Sequence, residues 1–170
     1  MARVRRKLTA GPSTRPSGWF TLVASVALKS SLLTLSTFGS AWIATRLHLA
    51  LLATAPSETL SRAGVHSPAD VPRLMATVSK TFATLSPIVF LCFAAVIGVV
   101  RVLEWRRQKV AVIRAVCGVL CGGIAASALV FAVIGFYEPI TPIGLLAGTA
   151  SAILLGAFCM SPAFRRPRTV

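Results

Sequence analysis

Acidic residues are nearly missing from this chain: 4 Asp or Glu stand against 18 Lys or Arg in 170 residues, a formal charge of +14. The four are Glu58, Asp70, Glu104 and Glu138, too few and too scattered for the carboxylate pairs on which general acid–base chemistry depends. Histidine is equally scarce, with only His48 and His66. The chain has no C-x-x-C pair, no phosphate-binding glycine loop and no Ser/His/Asp set spaced for nucleophilic catalysis. These absences exclude thiol oxidoreductases and hydrolases, and they predict a chain that is not an enzyme and carries no cofactor or catalytic metal. Polar composition is also lacking. Hydrophobic residues make up 55% and mean hydropathy is +0.79, which excludes a disordered chain. The basic residues lie between long apolar runs and not across a polar surface, so nucleic acid is not an expected partner.

What is present reads as a membrane protein. A spanning helix needs roughly 20 mostly apolar residues, and four stretches qualify: Trp19–Ala44, Phe82–Val102, Val110–Tyr137 and Ile140–Met160. The apolar character of the first continues to about Ala55. That stretch predicts either one long helix that protrudes from the membrane or a span joined to an interfacial piece. Trp19 and Trp42 are spaced to form an aromatic belt at each interface, and Trp105 and Tyr137 fit the same pattern.

The loop charges alternate. Residues 1–18 hold Arg3, Arg5, Arg6, Lys7 and Arg15 with no acid, and the 56–80 loop is net +1. The 101–109 connection is net +3, the turn at Glu138 is net −1, and the tail 161–170 holds Arg165, Arg166 and Arg168. Under the positive-inside rule this pattern predicts four spans with both termini on the inner side. Short connections at 101–109 and 137–140 predict antiparallel neighbours. The expected fold is therefore an all-α integral membrane protein, an antiparallel four-helix bundle over 19–160 between a basic N-terminal tail and a basic C-terminal tail. In the polar 56–80 loop, Ser67-Pro68-Ala69-Asp70 resembles a helix start, predicting a short helix over Asp70–Lys80. Pro142 falls where the last helix begins, and Pro87 is expected to bend the second span unless the helix begins there.

Small residues recur at every fourth position. Gly144, Gly148, Ala152 and Gly156 do so on the last span, and Gly118, Gly122 and Ala126 on the one before it. Residues four apart share a helix face, and small ones let backbones approach closely. This pattern predicts a tightly packed pair formed by the last two helices. Cys92, Cys117, Cys121 and Cys159 all fall inside spans and read as small apolar fillers. Lys29, Arg46 and His48 are the ionisable groups near or within the first span. Such groups are costly at membrane depth and are candidate lipid, subunit or pore contacts, although Arg46 and His48 also suit an interface position just beyond Trp42.

The N-terminal tail, rich in Arg and free of acids, reads as an uncleaved juxtamembrane segment held by anionic lipid, with a transit-like segment as the alternative. Together these features predict a non-catalytic accessory subunit whose partners are other membrane-protein subunits and anionic lipids. The expected setting is a respiratory or ATP-synthase assembly of the mitochondrial inner membrane, with a bacterial plasma membrane as the alternative location. The competing expectation is a small oligomeric channel or transporter, or a holin-like protein, with Lys29 or Arg46 lining an anion path.

Overall fold

In a computed structural model of the protein, residues 18–54, 67, 69–105, 110–136 and 140–160 are described. They form four helices: α1 (Gly18–Ala53), α2 (Asp70–Trp105), α3 (Val110–Phe136) and α4 (Pro142–Cys159). Each contains a stretch long and apolar enough to cross a membrane: Trp19–Leu52, Asp70–Glu104, Ala111–Ile134 and Pro142–Cys159. The chain is an integral membrane protein with four candidate spans, the number that hydropathy predicts. The basic tails at 1–17 and 161–170, residues 55–66 and 68 of the polar loop, the connection 106–109 and the turn 137–139 lie outside the described residues.

α1 takes the first of its two expected forms, and the start of α2 differs from expectation. α1 is one continuous helix of 36 residues, about 54 Å long against a hydrocarbon core of about 30 Å. α2 is equally long and begins at Asp70, so the predicted separate helix over 70–80 is instead the first three turns of the span. Tertiary packing accounts for this. Val71, Leu74 and Met75 pack with Trp42, Leu49 and Leu52 of α1 in a small cluster of their own. In addition, the Trp42 indole donates to the Ser79 hydroxyl at 3.0 Å. Neither extension has to stand alone, because each covers the other.

The helix starts follow their local chemistry. Thr141 caps α4, its hydroxyl accepting from the Gly144 amide at 3.1 Å, with Pro142 in the first helical position. At α2, the Ser67 carbonyl and hydroxyl accept from Asp70 and Ala69 respectively. Pro87 does not end α2. It has no N–H to give to the Ala83 carbonyl one turn back, and the Ser86 hydroxyl donates to that carbonyl instead, at 3.2 Å.

Each helix packs on two neighbours: α1 on α2 and α4, and α3 on the same two. The core is built from Leu33, Phe93, Ile97 and Leu129 together with small residues such as Ala41, Ala125 and Ala152. Phe38 and Phe82 stack across α1 and α2 with ring centroids 4.9 Å apart. The hydroxyls that make α1 look polar turn back on their own helix. Ser30, Thr34, Thr37 and Ser40 donate to the carbonyls of Val26, Ser30, Leu33 and Ser36, which satisfies them without water.

Candidate functional site

The small-residue stripe of α4 does not form a single seam with α3. A Cβ on Gly144 would sit 3.0 Å from the Thr45 hydroxyl and 3.2 Å from the Ala41 carbonyl, both on α1. On Gly148 it would meet the Thr37 carbonyl at 2.9 Å as well as Leu129 of α3 at 2.6 Å. Gly156 faces Cys121 and Gly118 of α3 at 3.5 and 3.8 Å, and Gly122 of α3 lies under the Ile153 side chain. The last two helices do pack on each other, and the α4 stripe is shared between that contact and α1, with Ala152 buried and Ala126 half-buried. Helical geometry explains the split: four residues turn the chain through 400°, so each step of four precesses by about 40° and a stripe of four positions sweeps round by roughly 120°. The Thr45 hydroxyl, fully buried, finds no hydrogen-bond partner among the described residues and lies against the bare Gly144 backbone.

Cys117, Cys121 and Cys159 are buried near this seam and Cys92 is exposed, all as free thiols. Among the described residues, no group of three or more His, Cys, Asp or Glu side chains is arranged to hold a metal ion.

Of the three ionisable candidates on α1, Lys29 alone is buried, at 5% exposure. Its ammonium donates to the Cys159 carbonyl at 2.5 Å, in the last turn of α4. That carbonyl belongs to the negative end of a helix and has no intrahelical donor of its own. Side chains lean toward the N-terminus of their own helix, so the ammonium lies nearer the basic end of the bundle than counting residues from Trp19 implies. Arg46 is exposed, with its guanidinium 5.4 Å from the centre of the Trp42 ring, and His48, two residues further on, is half-buried. The three do not converge.

What Lys29 joins instead is a group that loop-charge counting overlooks. Glu104, at the end of α2, accepts from Arg101 on its own helix and from Arg114 on α3, each at 3.1 Å. Its side chain is 8% exposed, and those of the two arginines 26% and 17%. Arg101 and Glu104 also act electrostatically on Lys29. The i,i+3 spacing of Arg101 and Glu104 was available in the sequence as a signal, whereas the bridge to Arg114 needed the turn between α2 and α3. Beside Arg101, the early turns of α1 bound a cleft of about 230 Å3 lined by Thr21, Leu22, Ser25 and Arg101. One end of the bundle therefore gathers three cations, one carboxylate and two hydroxyls from three helices, with the last turn of the fourth beneath Lys29.

Comparison of the chain with protein-family models, with curated proteins and with solved structures found no match.

Proposed function

We propose that this protein is a non-catalytic structural subunit of a larger membrane assembly. The observation that carries the reading is an open furrow between α2 and α3. It has a volume of about 790 Å3 and is lined by apolar side chains including Ile88, Cys92, Leu120, Ile124 and Phe131. A second hollow of about 450 Å3 continues it past Leu120 toward Leu103 and Val112. Concave apolar surface along a membrane helix pair suits the side chains of a further helix, because association in lipid relies on close packing.

Residue pairings support an antiparallel bundle, and the alternating loop charges support placing both termini on the inner side. Trp42 meets Ser79, Glu104 meets Arg114, and Lys29 meets Cys159, so numbers rise on one helix as they fall on its neighbour. The acid-free N-terminal segment favours an organelle inner membrane as the setting, with a bacterial plasma membrane as the alternative, and a respiratory or ATP-synthase assembly as the host. The channel reading loses its residues, since Lys29 is engaged by α4 and the α1 hydroxyls by their own backbone.

The test is mild-detergent extraction from native membranes, then a native gel with mass spectrometry of the band containing this chain. Stoichiometric migration with a larger assembly is the expected result. It should be lost on Gly123→Trp, which fills the furrow, and kept on Leu35→Trp, on an exposed face of α1. Migration alone, as a monomer or small homo-oligomer, overturns the proposal.

A further inference from the structure

We propose that the cleft between the middle turns of α1 and α2 binds a lipid-soluble phenol, an aromatic ring that carries a hydroxyl group. The first observation is the cleft itself. It has a volume of about 500 Å3, and Ser31, Thr34 and Phe38 of α1 line it together with Phe82, Ser86 and Phe90 of α2. Small-molecule sites share this size and this make-up, mostly apolar with a few placed polar groups. The cleft begins one helical turn from Trp42 and runs about two further turns along α1, within the candidate spans. Ser31, Ala83 and Pro87 are exposed along it, so its mouth opens to lipid and a ligand reaches it from among the acyl chains.

The second observation is the balance of hydrogen-bonding groups. The Thr34 hydroxyl donates to the Ser30 carbonyl at 2.8 Å, and the Ser86 hydroxyl to the Ala83 carbonyl at 3.2 Å. Their protons are spent, whereas their oxygen lone pairs are not. The Ser31 hydroxyl has no partner among the described residues, and Pro87 withholds a backbone donor from the same stretch of α2. Polar groups left bare toward lipid are costly, because no water reaches them. The group that answers a surplus of acceptors is a donor, and a hydroxyl supplies one while fitting a largely apolar space. The third observation selects the ring. Phe38 and Phe82 pair across the two helices with centroids 4.9 Å apart, and Phe90 borders the same space. Aromatic faces and edges favour a further ring over an alkyl chain. The furrow between α2 and α3 has no such set, since Ser127 is its single hydroxyl and Phe131 its single ring among the described residues.

The test uses the purified full chain in phosphatidylcholine nanodiscs, with a diazirine-bearing alkylphenol as photolabel and mass spectrometry to locate the labelled peptides. Labelling is expected within residues 31–38 and 82–90. Excess 4-hexylphenol should suppress it, and hexylbenzene, which lacks the hydroxyl, should not. The double variant Ser31→Ala with Thr34→Val should weaken labelling by about tenfold, the loss that follows from removing two hydrogen-bonding hydroxyls. Ala83→Trp, which fills the cleft from an exposed position, should abolish labelling, and it decides the matter if the double variant fails to fold. Ser127→Ala, which removes an exposed hydroxyl from α3, should leave labelling unchanged. No labelling of these turns, equal suppression by hexylbenzene, full labelling in either cleft variant, or an equal loss in Ser127→Ala would each overturn the proposal. The experiment needs only the isolated chain, so its failure is separate from a failure of the assembly reading.

Discussion

Gly148 and Gly118 are the same residue on neighbouring helices, and they differ only in what stands in front of them. A Cβ on Gly148 would press on the Thr37 carbonyl, a backbone atom that cannot step aside, whereas one on Gly118 meets nothing within 4 Å. Gly148→Ala should therefore cost about 1–3 kcal/mol as overpacking. Gly118→Ala should be neutral or stabilising by up to about 1 kcal/mol through helix propensity. Unfolding by SDS titration, followed by helical circular dichroism, separates the two; equal effects would mean that the α1–α4 approach is not close. Lys29→Met removes the donor at the Cys159 carbonyl, and we expect a loss of about 1–3 kcal/mol in the same assay. A gain would mean that burying the ammonium costs more than its hydrogen bond returns. Spacing in the sequence put both glycines among the packing residues. It could not rank them, because the ranking depends on a carbonyl of another helix.

At the scale of the element, α2 carries the most informative local feature. Its Pro87 removes a donor from the helix ladder, and the Ser86 hydroxyl supplies one in its place. Ser86→Ala should cost about 1 kcal/mol in the wild-type background. It should cost close to nothing alongside Pro87→Ala, where the Ala83 carbonyl regains a backbone N–H. A double-mutant cycle measures that coupling, and additive effects would show that Ser86 is not serving the proline gap. The proline is legible in the sequence as a bend or a helix start; its compensation, one residue away, depends on the Ser86 rotamer and so has no sequence signature. The early start of α2 was also written there, in the helical spacing of Val71, Leu74, Met75 and Val78. Average hydropathy missed it because Arg73, Thr77, Ser79 and Lys80 lie between, and only the cover from Trp42, Leu49 and Leu52 makes that face a helix face worth burying.

Across the whole molecule, Glu104 is the keystone charge. It ties α2 to α3 through Arg114 while neutralising part of a cluster that also contains Lys29. Glu104→Gln leaves two half-buried guanidiniums without their counter-charge, and a loss of about 3–5 kcal/mol is expected. Because the pair is shielded from solvent, that loss should change little between low and high salt. A loss below about 1 kcal/mol, or one that disappears in salt, would place the bridge in the class of exposed ion pairs. The acid was visible in the sequence, but counted as loop charge it only reduced a total. Its importance comes from standing where, among the described residues, cations from three helices gather.

The sequence by itself determined the number of spans, the helical class and the basic character of one end. These depend on hydropathy and charge summed over neighbouring residues, and a membrane reads those sums directly. Only the tertiary structure decided which helix each glycine touches, which carbonyl receives Lys29 and which arginines share Glu104. Lys29 and Cys159 are 130 positions apart in the chain. No local sum contains such a contact, since it exists only after the four helices have packed and the rotation of each about its axis is set by all the others.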